Sequence, residues 1–179
     1  MDLDLKFPWL YPILAFVGMA LGGLYPLYNP DGYGHIAQGR DIVERGYVPD
    51  VDPFSVWKPE PAPWFNYEWG FDVLAYGIYS SLGPNGLLAL KCIVLGLAGV
   101  VLLLAVRQFG DRAGTRWCTL VLLLLAIPGA RFRFSERPEV LALLFSSVLL
   151  WGLAYLARPN ARRRWFVVAG LSVQHVLWV

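Results

Sequence analysis

The sequence predicts an all-α, polytopic transmembrane bundle of about four to five spans, with a large extracytoplasmic first loop bearing short amphipathic helices. Three observations predict it. Of 179 residues, 57% are hydrophobic and 16% charged, against about 45–50% and about 25% in an average soluble domain. Long runs carry no charge at all: Pro8–Tyr28 (21 residues), Cys92–Val106 (15) and Val140–Ala157 (18). A bilayer core takes roughly 20 apolar residues per helix, so these counts exclude a soluble enzyme, a secreted module and a disordered tail. Finally, eight of the thirteen acids fall between Asn29 and Gly83, outside every such run. The chain reads as one membrane domain over residues 1–179.

The first span, about 8–28, has Trp9 and Tyr11 at one end and Tyr25 and Tyr28 at the other, as rings at the headgroup level require. Its flank, Met1–Lys6, carries two acids and one lysine, and no small-x-small cleavage site follows, so it reads as an anchor and not a cleaved signal. Asn29-Pro30-Asp31-Gly32 then breaks the helix. Within the loop 29–83, Gly34–Gly46 has helical rhythm and fits an amphipathic helix on the membrane surface. Five prolines make Val48–Pro63 a loop or extended strand. Trp69–Leu82, about 14 residues and roughly 21 Å as a helix, packs at the interface or re-enters the bilayer, and Gly83-Pro84-Asn85-Gly86 closes it.

Further spans follow at about 87–106, 117–130, 138–157 and 165–179. The third is short enough that its flanking arginines must snorkel or its outer end face a cavity. Pro138 suits a helix start. The last run ends after 15 residues with no flanking charge, so it reads as a short terminal helix or, the expectation here, as part of a longer chain.

With the N-terminus cytoplasmic, eight basic residues lie inside (Lys6, Arg107, Arg112, Arg116, Arg158, Arg162, Arg163, Arg164) and six outside. Loop 29–83 then faces away from the cytoplasm. Cys92 and Cys118 sit in apolar runs and read as buried small hydrophobes. A net charge of +2 with arginines scattered among the spans does not point to nucleic-acid binding, and none is expected. Lys91 is the one ionisable group well inside a full span; transport pathways need several, so a transporter is the weaker reading, and Lys91 is expected to snorkel.

Chemistry concentrates in two places. Loop 29–83 carries eight acids against three basic residues, net −5. Most of them read as solvated, but Asp31 and Glu68 stand beside aromatic residues at the edges of apolar elements. Partial desolvation would raise such carboxylates toward a general base's range. His35 lies one helical turn beyond Asp31 and could hydrogen-bond it, or serve structurally or at the surface. The second place is Arg131, Arg133 and Arg137. They fit headgroup snorkelling, pairing with Glu136 and Glu139, or a phosphate site built from bidentate guanidinium groups. An acidic, aromatic loop and an arginine turn on one side imply group transfer from a phosphate-bearing lipid. The carboxylate would deprotonate an acceptor hydroxyl and the arginines would hold the departing phosphate. Trp57, Trp64 and Trp69 fit either sugar stacking or interfacial anchoring.

The order of Asn29-Pro-Asp-Gly-Tyr-Gly-His-Ile-Ala-Gln-Gly-Arg-Asp-Ile-Val-Glu-Arg-Gly46, Pro49-Asp-Val-Asp-Pro-Phe-Ser55 and Trp64-Phe-Asn-Tyr-Glu-Trp69 resembles the first extracytoplasmic loop of GT-C glycosyltransferases. More narrowly, it is similar to bacterial relatives of protein O-mannosyltransferases and aminoarabinose transferases. Arg137-Pro138-Glu139 resembles the Arg-Pro element opening a later span. The resemblance implies an enzyme of the bacterial cytoplasmic membrane that uses a polyprenyl-phosphate sugar, with Asp31 as the catalytic or metal-binding carboxylate. Gly32 follows Asp31 where some members have a second acid, so a divalent metal at Asp31 is not favoured and no other cofactor is expected. The expected partners are membrane lipids and the polyprenyl-phosphate sugar. A non-catalytic subunit that keeps a GT-C-like fold within a larger membrane complex is the alternative.

Overall fold

The computed structural model describes residues 9–26, 29–51, 54, 63–110, 113–159 and 164–178. Tyr28 and Trp57 lie outside them. The described residues are all-helical: α1 (Leu10–Gly22), α2 (Pro30–Arg45), α3 (Trp69–Arg107), α4 (Ala113–Ala130), a 3₁₀ turn at Arg131–Arg133, α5 (Pro138–Leu156) and α6 (Arg164–Trp178). An isolated antiparallel bridge, Val51 to Pro63, closes the proline-rich loop.

Among the described residues three helices are long and apolar enough to cross a membrane, Trp69–Arg107, Gly114–Arg133 and Pro138–Leu156, as an integral membrane protein requires. The first and last expected spans are helices of 13 and 15 residues, roughly 20 and 23 Å long beside a hydrocarbon core of about 30 Å. α1 ends where the Gly23 N–H turns back to the Met19 and Ala20 carbonyls, so Tyr25, expected to mark its end, falls just beyond the helix.

α2 begins four residues before its apolar rhythm does. Asn29 caps it, its side-chain oxygen accepting the Asp31 N–H at 3.0 Å, and Pro30 occupies the first turn, where a missing N–H costs nothing. The motif expected only to break the first helix therefore also starts the next. Gly46, at φ 76°, ends α2 and donates to the Ile42 carbonyl. Near that end Asp41 accepts from Arg45 at 2.8 Å, and hydrogen bonds to Asp41 and then Tyr47 hold the Arg45 guanidinium above its usual range. Its buried face, Gly32, His35, Gly39 and Ile42, packs on α3.

α3 joins two elements that the sequence separates. Only Gly83 leaves helical geometry, at φ 65° and ψ −163°, and the helix resumes at Pro84. The expected four-residue closure is thus a one-residue bend, because a proline is tolerated in the first turn of the resumed helix.

α3 is the axis of the bundle, with α1, α2 and α5 all packed against it. α1 runs antiparallel to the second half of α3: Tyr11 clusters with Leu103, while Met19 clusters with Val94 and Leu95. Small residues let these helices approach; a Cβ on Gly96 would lie 2.6 Å from the Phe16 ring, and one on Gly99 2.6 Å from Met19. α4 lies against α1, and α6 against α5. α4 turns Val121, Leu122 and Leu125 outward. Cys118, on that outward face, is therefore exposed, and Cys92 on α3 is only half-buried, where both were expected to be buried.

This connectivity gathers the C-terminal ends of α1 and α4, the 3₁₀ turn and the N-terminal end of α5 beside α2 and the bend of α3. At the opposite end, Arg158 donates to the Gln108 and Arg107 carbonyls, and Arg164 to those of Arg158 and Pro159.

Candidate functional site

Three polar groupings occupy that first end. In the first, the Arg137 guanidinium forms an ion pair with the Asp31 carboxylate and lies 3.7 Å from Glu139. Each partner is placed by a helix start. Asp31 sits in the first turn of α2, and Arg137 caps α5 with extended backbone just before Pro138. The structure thus brings together the loop acid and the arginine turn. The surroundings differ from expectation in one respect: the Asp31 side chain is 52% exposed, so its neighbour is a cation and not an apolar wall.

The second grouping is buried. His35 Nδ1 lies 2.6 Å from Asp72 Oδ1, and Asp72 is completely buried. A carboxylate accepts only, so the Nδ1–H donates. The other oxygen, Oδ2, accepts from Asn66 Nδ2 at 2.6 Å, and the same amide reaches Gln38 at 3.5 Å. Asn66 Oδ1 accepts the Glu68 N–H at 2.9 Å, fixing the amide's orientation. Glu68 itself is half-exposed, its carboxylate 3.9 Å from His35 Nδ1. His35 therefore pairs with Asp72 across the helix interface and not with Asp31 on its own helix. Phe71 meets the imidazole edge-on at 5.2 Å.

The third grouping corrects the expectation for Lys91. This side chain is 2% exposed and does not snorkel. It forms an ion pair with Glu136, donates to the Tyr25 carbonyl at 3.0 Å and stands 3.8 Å from the Tyr25 ring centroid. Lipid headgroups offer nothing that these three do not already supply. The Tyr25 hydroxyl donates to the Arg131 and Phe134 carbonyls, tying the turn to α1. A cavity of about 20 Å³ lies between this grouping and Phe71, with Lys91, Ser135, Glu136 and Arg137 among its walls. Glu136 Oε2 and Arg137 Nε are buried there without a hydrogen-bond partner among the described residues.

The remaining predicted residues lie further out. The Arg131 guanidinium lies 5.2 Å from the Tyr25 ring centroid and that of Arg133 5.3 Å from the Phe132 ring centroid. Trp64 and Trp69 share a cleft of about 370 Å³ with Asp50, Asn66 and Tyr67. The Trp64 N–H donates to the Asp50 carbonyl at 2.8 Å. Asn66 belongs both to this cleft and to the buried His35–Asp72 network. Among the described residues no three of His, Cys, Asp and Glu are placed to hold a metal ion together.

Sequence reasoning missed Asp72 and Asn66. One signal was present: Asp72 is the lone charge within the apolar stretch Trp69–Leu82, and such a residue must find a partner.

Among the described residues, fold and site together define an all-helical membrane bundle with three helices able to cross a membrane and a polar site at one end. The chain matches no protein-family model, no curated protein and no solved structure.

Proposed function

We propose that this protein is a GT-C-like integral membrane glycosyltransferase, which moves a sugar from a polyprenyl-phosphate donor to an acceptor hydroxyl on the extracytoplasmic side. The observation that carries the reading is the ion pair of Asp31 with Arg137. It unites two of the motifs on which the resemblance rests, although they come from distant parts of the chain. A guanidinium shared with a half-exposed carboxylate can turn one edge to a phosphate, while a carboxylate and an imidazole one turn apart on α2 provide groups for moving a proton. Arg131 and Arg133 add positive charge at the same end, and the aromatic cleft at Trp64 and Trp69 suits a sugar ring. The arginines at the opposite end support a cytoplasmic location for that side, with loop 29–83 outside the bacterial cytoplasmic membrane. The test is transfer from a polyprenyl-phosphate sugar by the purified chain in lipid, beside Asp31→Asn. At a limiting donor concentration a rate loss of about tenfold or more is expected, the size of a lost charge-assisted pair; an equally active variant would remove Asp31 from the site.

A second reading, a non-catalytic subunit with a GT-C-like fold, draws on the same pair: Asp31 and Arg137 already satisfy each other, as a structural latch would. Co-purification in fixed stoichiometry with other membrane proteins, and no transfer by the chain, would favour it.

A further inference from the structure

We infer that His35, oriented by Asp72, takes the proton of the acceptor hydroxyl, and that Asp31 positions Arg137 for the donor phosphate. The inference rests on the transferase reading above and divides its labour between two residues of α2. Asp31 spends its carboxylate on the Arg137 guanidinium. His35 is arranged as a base. Its Nδ1–H is held at 2.6 Å by Asp72, whose second oxygen is held at 2.6 Å by Asn66, so the ring is fixed in both tautomer and direction. With the proton on Nδ1, the Nε2 lone pair remains to accept another, the logic of a base set by a third group. The ring retains some exposure, with the His35 side chain at 10%, whereas Asp72 has none. Helical spacing puts His35 roughly 5–6 Å from Asp31, Cβ to Cβ, beside the arginine that would receive the phosphate.

Among the described residues the charged groups facing the imidazole are Asp72 within α3 and Glu68 at its start, 3.9 Å from Nδ1. On its own helix stands Asp31, with Arg137 beyond it. In the reaction the hydroxyl proton passes to Nε2, and the oxygen's electron pair forms the bond to the anomeric carbon. The bond from that carbon to the phosphate oxygen breaks with its electrons on the oxygen, leaving polyprenyl phosphate at Arg137. His35 then releases its proton to water.

A His–Asp pair that merely pinned α2 to α3 would alter stability and not chemistry, so the test separates kcat from KM. The full chain in lipid is assayed with a polyprenyl-phosphate sugar across a range of pH. His35→Gln is expected to lower kcat by about 10²–10⁴, to flatten the pH profile and to leave the donor KM near its original value. His35→Ala should regain part of its rate with added imidazole, and Asp31→Asn should chiefly raise the donor KM. Should His35→Gln not fold, Asp72→Asn carries the test through a lowered kcat and a moved pH profile. A His35 or Asp72 variant with unchanged kcat and pH profile overturns the inference while wild-type transfer leaves the transferase reading standing. Absence of transfer by the wild-type chain overturns both.

Discussion

Lys91 is held inside the bundle by Glu136, with the Tyr25 carbonyl and ring closing round the ammonium. Both side chains are nearly inaccessible, at 2% and 3%. Removing one partner leaves a buried charge uncompensated, which costs about 3–5 kcal/mol, whereas replacing both by apolar residues of similar size is often neutral. Glu136→Leu is therefore expected to lower the unfolding temperature in detergent sharply, and Lys91→Met with Glu136→Leu to restore most of it. Equal stability of the single and double variants would show that the pair does not bear on folding.

The same residue shows what was legible in the sequence and what was not. Hydropathy marks Lys91 as exceptional, but its partner lies 45 residues away in a turn, and periodicity carries no information on such pairings. His35 and Asp72, 37 residues apart, are hidden for the same reason. The helices themselves were readable because caps and apolar runs are local. Asp31 and Arg137 were readable as chemistry, each conspicuous by its place, though only the antiparallel course of the chain makes them neighbours. The length of α1 was not readable: its apolar run continues beyond Gly22, and the backbone turns at Gly23 instead.

Gly39 sets the distance between α2 and α3. A Cβ there would stand 2.0 Å from the Asp72 carbonyl oxygen and 2.8 Å from Tyr76 Cβ, and neither backbone nor Cβ can swing aside. Gly39→Ala should cost about 1–3 kcal/mol, the usual range for overpacking, and weaken the contact of His35 with Asp72. Gly34, on the same helix, meets nothing within 4 Å, so Gly34→Ala should raise stability by up to about 1 kcal/mol through helix propensity alone. Thermal unfolding of the two variants side by side measures the contrast; opposite signs are expected, and matching signs would refute the close crossing.

Gly83 makes the bend for a different reason. Nothing would obstruct a Cβ there, but φ 65° with ψ −163° is a conformation that essentially only glycine adopts. Gly83→Ala should cost about 1–3 kcal/mol of backbone strain, or straighten α3 and pull Asp72 away from His35. Either result appears as a lower unfolding temperature, and an unchanged one would mean that the bend tolerates a side chain.

Arg131, Arg133 and Arg137 look equivalent in the sequence but differ in the fold. Arg137 touches Asp31 and lines the small cavity beside Lys91 and Glu136. Arg133 lies beside Phe132, and both of these residues are exposed. If a donor phosphate is bound at this end, Arg137→Ala should raise the donor KM by about tenfold or more, since a charge-assisted hydrogen bond contributes about 1.5–3 kcal/mol. Arg137→Lys should restore only part, because an ammonium cannot share itself bidentately between a carboxylate and a phosphate. Arg133→Ala should change KM by less than about threefold, as befits an exposed charge screened by solvent. Donor titrations of the three variants at fixed ionic strength give the ranking. A larger loss from Arg133 than from Arg137 would place the phosphate on the outer side of the turn, away from Asp31.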